Sequence, residues 1–162
     1  MHGLALLQMM VLWALANGAP LIAKKIFGGR FALPLDFGIK LFDGRPLFGP
    51  SKTLRGVGLA VLAATAGAPL IGLDPAIGAV AGSAAMAGDL LSSFLKRRLN
   101  LPPSSQALGL DQIPESLLPM LACRHALSLT AADIALGVGL FFAGELVLSR
   151  LLFHAKLRDE PY

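Results

Sequence analysis

The sequence predicts an all-α membrane protein with five transmembrane helices, and composition and hydropathy are the observations that predict it. Hydrophobic residues make up 55% of the 162 residues and charged residues only 15%, whereas a soluble domain carries about 25% charged residues. The mean hydropathy is +0.68. Apolar runs long enough to cross a hydrocarbon core of roughly 30 Å recur along the chain. These features predict a polytopic membrane protein rather than a soluble domain.

Five apolar segments are predicted to cross the bilayer within a single domain that covers residues 1–162. The first segment lacks the basic start of a secretory signal, so we expect it to be retained as a helix. The fourth is short and holds Pro119, Arg124 and His125, so a re-entrant segment is the alternative there. The predicted spans lie near residues 3–23, 56–73, 76–95, 112–128 and 131–154.

Basic residues alternate between the connections, and this alternation predicts the orientation. The connection 24–55 holds seven Lys and Arg residues, the turn 73–75 holds none, and the connection 96–111 begins with three. Because Lys and Arg accumulate in cytoplasmic loops, the N-terminus is predicted outside, and the two long loops and the C-terminus inside. We therefore expect a multi-pass protein of the cell membrane whose active site faces the cytoplasm.

The remaining composition excludes several other classes of protein. A single cysteine, Cys123, rules out an internal disulfide and argues against a cysteine-based metal cluster. The net charge of +4 suits an anionic inner leaflet. No nucleic-acid-binding motif is visible, so no nucleic-acid partner is expected.

The first predicted cytoplasmic loop, 24–55, leads into the second span through the stretch DGRPLFGPSKTLRG, residues 43–56. Its Gly and Pro residues predict an ordered, irregular loop. Ser51 is predicted to be the N-cap of the second span, and a helix N-terminus flanked by Lys52 and Arg55 suits a phosphate group. The alternative is a capped helix beside ordinary interfacial cations. A nucleotide P-loop does not fit, because Ser51 rather than Gly precedes Lys52.

The third span carries polar residues on one face, and these residues indicate a functional site. Asp89 lies about two turns inside the basic end, where an acid is costly unless it is solvated, paired or bound to metal. We therefore favour a functional role for Asp89 over a structural brace to Lys96 or Arg97. Small residues on the same helix predict close packing against a neighbouring helix, and these residues are Gly78, Gly82 and Ala85.

Ten polar residues are expected to meet at the inner face: Asp43, Lys52, Thr53, Arg55, Asp89, Ser92, Ser93, Lys96, Arg97 and Asp111. The three carboxylates suit Mg²⁺, which prefers oxygen ligands, and the cations suit a polyphosphate. No serine–histidine–acid set is visible, which favours phosphoryl or nucleotidyl transfer. Simpler alternatives are that Asp111 is only the N-cap of the fourth span and that Asn17 only joins helices. Glu145 has no assigned role.

The same motifs resemble those of the CDP-archaeol synthases, CTP-dependent cytidylyltransferases that activate an ether-lipid phosphate and are distant relatives of the CDP-diacylglycerol synthases. The segment after residue 115 matches least, and the ending 158–162 is similar to a bacterial branch, which leaves the lipid open. The matching elements follow the family order and are Asn17-Gly18-Ala19-Pro20, Asp43-Gly44-Arg45, Gly49-Pro50-Ser51-Lys52-Thr53 with Arg55-Gly56, Gly88-Asp89 with Ser92-Ser93-Phe94 and Lys96-Arg97-Arg98, and Leu110-Asp111-Gln112.

The resemblance implies that a lipid phosphate attacks the α-phosphate of CTP, giving pyrophosphate and a CDP-archaeol-like or CDP-diacylglycerol-like lipid. It implies Mg²⁺ on Asp89 with Asp111 or Asp43 assisting, and catalytic roles for Asp89, Lys96 and Lys52. The implied partners are CTP, a lipid phosphate and the bilayer, with no oligomeric state predicted. The implied substrate-binding residues are Asn17, Pro20, Asp43, Gly49, Ser51, Thr53, Arg55, Ser92, Ser93, Arg97, Asp111 and Gln112.

Two other functions are compatible with parts of the sequence. A small transporter or channel would use the intramembrane acids Asp89 and Glu145, but the chain shows no paired repeat of the kind common in transporters. A CDP-alcohol phosphotransferase would start with a pair such as Asp43-Gly44, but the aspartates that such an enzyme repeats at four-residue spacing do not follow.

Overall fold

The computed structural model describes residues 2–102 and 107–154, with side chains described up to residue 147. Within these residues the chain forms five α-helices, and the two backbone bridges found there belong to no strand. The predicted all-α class is therefore confirmed for this part of the chain. The helices are α1 (Gly3–Phe27), α2 (Leu54–Gly67), α3 (Pro75–Arg98), α4 (Gln112–Ala122) and α5 (Ala131–His154), and a 3-10 helix (Ala68–Ile71) continues α2.

Three helical segments are long and apolar enough to cross a membrane, by length and composition, among the residues described: Gly3–Phe27, Leu54–Ile71 and Pro75–Arg98. The second changes from α to 3-10 geometry where Pro69 enters the chain, and it ends at Gly72 in the left-handed conformation with φ 76°. The ends predicted from sequence therefore shift by a few residues, since Leu54 rather than Gly56 begins the helix.

The helix in the fourth predicted span, 112–128, is shorter than that span, and whether the segment crosses the bilayer or re-enters it stays a prediction. α4 holds 11 residues, which gives a length of roughly 16 Å at 1.5 Å per residue. Pro119 lies inside the helix, and turns occupy residues 123–128. α4 alone is too short to cross a hydrocarbon core of about 30 Å.

The helices pack in pairs, with α3 between α2 and α4, α1 against α2, and α4 against α5. The predicted small-residue stripe is confirmed. A Cβ added at Gly78 would lie 2.3 Å from the carbonyl oxygen of Ala64, and one at Gly82 would lie 3.0 Å from the Ala64 Cβ. Ala85 is fully buried. Because lipid supplies no hydrophobic drive between helices, such close backbone approach is what holds α2 and α3 together.

Aromatic and sulfur-containing side chains fill the centre of the fold, where α1 meets α4 and α5. The rings of Trp13 and Phe141 meet edge to face with centroids 5.0 Å apart. Met9 and Met120 are fully buried in the same core. This apolar centre leaves the polar side chains together at one end of α3.

Candidate functional site

The C-terminal half of α3 buries a polar face against the loops that precede α2 and α4. Ser92, Ser93, Lys96 and Arg97 are all buried, with exposed fractions between 1% and 8%. Polar groups this deep in an apolar protein are costly unless they are paired. Ser92 donates to the Gly88 carbonyl, Lys96 pairs with Asp111, and Arg97 donates to the Pro102 carbonyl. The first loop reaches the same part of α3 through Lys52 and Arg45, so the two predicted loops do meet on α3.

Lys52 and Asp89 form the ion pair at the mouth of this face. The Lys52 Nζ donates to both carboxylate oxygens of Asp89 at 2.6 Å, and about a quarter of each side chain remains exposed. This pair replaces the brace between Asp89 and Lys96 or Arg97 that we considered as an alternative. The loop before α2 therefore delivers its lysine to the acid of α3.

Lys96 and Asp111 form a second ion pair, with 2.6 Å between Nζ and Oδ1. Asp111 does precede α4, but its side chain accepts from the Ala107 backbone N–H rather than capping the helix. Asp111 is therefore the N-cap residue of α4 by position, as predicted, but its side chain makes no capping hydrogen bond. The helical turn before α4 already satisfies the free N–H of Ile113 through the carbonyl of Gly109, so no side-chain cap is needed there.

Gln112 follows Asp111 and is 1% exposed. Its Oε1 accepts from the Gly109 backbone N–H at 2.8 Å. Its Nε2 is buried and has no hydrogen-bond partner within the described part of the chain. A buried donor without an acceptor is rare in folded proteins, and it fits the predicted role of Gln112 in substrate binding.

Asp43 and Arg45 attach the tip of the first loop to the end of α3. Arg98 donates to Asp43 Oδ1 at 2.8 Å, and the Arg45 guanidinium donates to the Arg98 carbonyl at 2.6 Å. Asp43 also accepts from the Arg45 backbone N–H, which is the geometry of an Asx turn. Asp43 thus closes a turn and pairs with Arg98 in this structure.

Thr53, not Ser51, is the N-cap of α2. The Thr53 Oγ1 accepts from the Gly56 N–H at 3.1 Å, whereas Ser51 is exposed in the preceding turn. The Ser51 interpretation is wrong because α2 begins two residues later than that cap requires. Gly56, held by this cap, lies against α1, since a Cβ there would meet Pro20 at 3.8 Å.

Arg55 points toward the end of α1. Its guanidinium donates to the carbonyls of Gly28 and Arg30 and lies 5.9 Å from the centroid of the Phe27 ring. Arg55 therefore ties the start of α2 to the first loop. Its predicted contact with substrate stays a prediction.

Asp36 orders the first loop and was missed from the sequence. It is 3% exposed and accepts from the N–H groups of Gly38, Phe48 and Gly49 at 2.8–3.0 Å. Burial raises the pKa of Asp36, but these backbone hydrogen bonds outweigh burial and the net pKa lies below the ordinary value. The signal was available, since an Asp two residues before a Gly is typical of an Asx turn.

Glu115 is a second site residue that sequence reasoning missed. It is 8% exposed, and the Asn17 side chain and the charged groups of Asp89, Lys52 and Glu145 lie close to its carboxyl group. The rule that marked Asp89, an acid within an apolar segment, also applies to Glu115.

Gly88 explains how Glu115 comes so close to Asp89. A Cβ at Gly88 would lie 2.3 Å from the Pro114 carbonyl oxygen and 2.6 Å from the Glu115 Cα. Only a glycine lets α4 approach α3 to this distance. Five parts of the chain therefore supply polar groups to one region: α1, the first loop, α3, α4 and α5.

The three predicted metal ligands occupy separate pairs: Asp89 with Lys52, Asp111 with Lys96, and Asp43 with Arg98. Among the side chains described, in residues 2–102 and 107–147, no three Asp, Glu, His or Cys side chains are grouped to hold a metal ion. Mg²⁺ at nucleotide sites commonly takes one or two carboxylates and completes its shell with water and phosphate oxygens. Asp89 fits that pattern, with Glu115 beside it. The metal roles of Asp43 and Asp111 stay predictions.

No family model matches the chain. The chain is 37% identical over 115 residues to the CDP-archaeol synthase of Pyrobaculum calidifontis, covering 65% of this chain and 66% of that protein. It is 40% identical over 107 residues to the synthase of Pyrococcus furiosus, covering 60% of each. The resemblance to the CDP-archaeol synthases is confirmed. The aligned part spans just under two thirds of the length of these relatives.

A solved structure agrees with the sequence relatives. The fold matches a protein described as an intramembrane enzyme for archaeal membrane lipid biosynthesis, with a TM-score of 0.70 and 26% identity. The match covers 86% of this chain and 91% of the other. The similarity thus extends beyond the part aligned with the CDP-archaeol synthases and includes most of the helical architecture.

Proposed function

We propose that this protein is a CTP-dependent cytidylyltransferase that converts a lipid phosphate into a CDP-lipid in phospholipid biosynthesis. The observation that carries the proposal is the Lys52–Asp89 ion pair beside the buried Glu115, in a chain similar to CDP-archaeol synthases. The substrates are CTP and a lipid phosphate, ether-linked or ester-linked. The transporter alternative is not favoured, because the curated relatives and the solved neighbour are biosynthetic enzymes.

The chemistry needs charge neutralisation more than a protein nucleophile. A phosphate monoester is already anionic near neutral pH, so its oxygen can attack the α-phosphorus while pyrophosphate departs. The obstacle is repulsion between two polyanions, and preorganised cations lower it. Lys52, Lys96 and Arg97 occupy one face and are assigned to the phosphates. Gln112 presents a buried donor to the same ligand.

Asp89 is the residue that we assign to Mg²⁺, with Glu115 as the neighbouring carboxylate. Bound there, Mg²⁺ would supply charge neutralisation and orientation of the triphosphate oxygens. The Lys52 ammonium group donates to both oxygens of Asp89. When CTP binds, this ammonium group can instead donate to a phosphate oxygen nearby. Asn17 of α1 lies close to the Glu115 carboxyl group.

The membrane arrangement that we propose has five passages with the site at the cytoplasmic face, and α4 together with the turns at 123–128 makes the fourth passage, covered by the neighbouring helices. His2 bonds to Asp133 through its backbone N–H at 3.0 Å and through Nδ1 at 2.9 Å, so α1 and α5 begin at the same end of the molecule. At the other end, Asp43 of the first loop reaches the end of α3. Both contacts are expected if successive segments cross the bilayer in opposite directions. The basic residues of the first loop favour a cytoplasmic position for the end of the molecule that holds Asp43.

The test uses the purified protein in detergent with labelled CTP, Mg²⁺ and a panel of ether-linked and ester-linked lipid phosphates. We expect a CDP-lipid with at least one of them, and a loss of at least about 100-fold in turnover for Asp89→Asn, as for removal of a main electrostatic group. Asp74→Asn is the matched control, because Asp74 caps the distant start of α3. The absence of any CDP-lipid across the panel would refute the reaction.

A further inference from the structure

The first loop presents a set of large apolar side chains away from the protein. Five of them, here called the aromatic face, have exposed fractions between 51% and 99%: Phe31, Leu33, Phe37, Ile39 and Phe42. Exposed apolar groups in such density mark an interaction surface rather than an accident of packing. None of these residues belongs to the candidate site.

The loop that carries these residues is internally ordered. Leu54 N–H donates to the Leu33 carbonyl, and Leu35 N–H donates to the Lys52 carbonyl, so the loop is fastened to the start of α2. Leu41 N–H donates to the Arg45 carbonyl below the exposed tip at Phe42. The exposed side chains are therefore held in place by backbone hydrogen bonds.

Two of the aromatic residues adopt a backbone conformation that bulky residues rarely take. Phe31 has φ 58° and Phe37 has φ 48°, both in the left-handed region. Such strain persists only where the surroundings require it, and it clusters at functional segments. In Phe37 the requirement comes from the turn closed by Asp36 and Gly38. The strained turn leaves the Phe37 side chain exposed.

The charges around the aromatic face are mainly positive, and the exposed acid beside it, Asp43, is paired with Arg98. Lys24, Lys25, Arg30 and Lys40 are exposed, whereas Asp36, the only acid between residues 24 and 42, is buried. Aromatic and aliphatic side chains next to Lys and Arg are the composition that binds the headgroup region of an anionic leaflet. The charge complementarity thus points to lipid rather than to a second copy of this basic loop.

We propose that the aromatic face inserts into the headgroup region of the anionic leaflet and docks the first loop on the bilayer. The proposal rests on α1 and α2 crossing the membrane, as their length and hydropathy indicate. Because α1 ends at Phe27 and α2 begins at Leu54, the loop leaves and re-enters the bilayer at the same surface. Docking would hold Lys52 at the depth where a lipid phosphate lies.

The test places a nitroxide spin label on Phe42→Cys in nanodiscs that contain one copy of the protein. The wild-type chain, with only the buried Cys123, is the labelling control, and a label on Leu62→Cys of α2 marks the acyl region. We expect the label at residue 42 to collide more with oxygen than with a water-soluble nickel complex in anionic discs. Collision mainly with the nickel complex would overturn the proposal.

Two further experiments test whether the cations hold the loop on lipid and whether contact between two copies of the protein could shield the label instead. The double variant Arg30→Gln and Lys40→Gln should move the label toward water in anionic discs and leave it unchanged in zwitterionic discs. An unchanged depth in anionic discs would contradict the role of the cations. Shielding from both reagents only in discs that hold two copies would show an interface between copies and overturn the lipid proposal. Synthesis of a CDP-lipid is not needed for any readout, so these results stand apart from the proposed reaction.

Discussion

The contact between α3 and α4 at Gly88 yields the sharpest quantitative prediction. In Gly88→Ala, the new Cβ would lie 2.3 Å from the Pro114 carbonyl oxygen, whereas ordinary contacts begin at 3.4 Å. Every close neighbour is backbone, so no side chain can rotate away, and the two helices must separate by about 1 Å. Overpacking of this kind costs about 1–3 kcal/mol of folding free energy.

The same displacement separates Asp89 from Glu115. Asp89 directly follows Gly88, and the backbone of Glu115 forms part of the contact with Gly88. A misplacement of about 1 Å in a catalytic group can cost roughly 100-fold in rate, so we expect turnover of the Gly88→Ala variant to fall by about that factor. The assays are thermal unfolding in detergent and CDP-lipid formation with saturating CTP.

Gly139→Ala is the matched control, because a Cβ at that position of α5 meets nothing within 4 Å. The control should unfold at or slightly above the wild-type temperature, since Ala favours a helix over Gly by about 1 kcal/mol. Equal stability and turnover for Gly88→Ala and wild type would refute the close approach of α3 and α4.

Three further predictions concern the first loop and the buried acid. Thr53→Ala should lower the free energy of unfolding by about 1 kcal/mol through loss of the α2 cap, whereas Ser51→Ala should leave it unchanged; equal losses in denaturant titrations would restore Ser51 as the cap. Asp36→Asn should unfold at a lower temperature than wild type at pH 7. The difference in unfolding temperature should shrink as the pH falls below about 4, because the backbone hydrogen bonds that lower the pKa of Asp36 stabilise the folded protein only while the carboxylate is ionised. A temperature difference that does not depend on pH would contradict this role of the carboxylate. Glu115→Gln keeps the size of the side chain but removes its carboxyl group, so turnover should fall roughly 10- to 100-fold with little change in unfolding temperature. Glu115→Asp should restore part of the turnover, and wild-type turnover in Glu115→Gln would exclude a role for the carboxyl group.

Hydropathy and the spacing of small residues were sufficient to predict much of this fold. Apolar length located α1, α2, α3 and α5, since a chain that crosses lipid must satisfy its backbone within each helix. The stripe of Gly78 and Gly82 followed from the same physics, because small residues are what membrane helices use for close contact. Pro119, Arg124 and His125 already marked the fourth segment as short, but they did not show that α4 would end at Ala122 with turns after it.

The sequence predicted that several of these polar residues would lie near one end of α3, but not how they would pair. Helical spacing placed Asp89 and Lys96 on one face, but it could not show that each would choose a partner from a different loop. Loop geometry decides those pairings, and the long-range hydrogen bonds of Asp36 that shape the loop leave only a weak local signal. Glu115 carries a signal equal to that of Asp89, yet its meaning depends on Gly88, whose importance appears only when α4 is seen against it.

The position of the label in CTP tests the central claim most directly. The purified protein, Mg²⁺ and an active lipid phosphate would be incubated with CTP labelled either at the α-phosphate or at the γ-phosphate. Attack at the α-phosphorus predicts that the α-label enters the lipid fraction while the γ-label is released as pyrophosphate. A γ-label in the lipid would mean phosphoryl transfer, and no label in the lipid from either CTP would mean that the site around Lys52 and Asp89 serves another reaction.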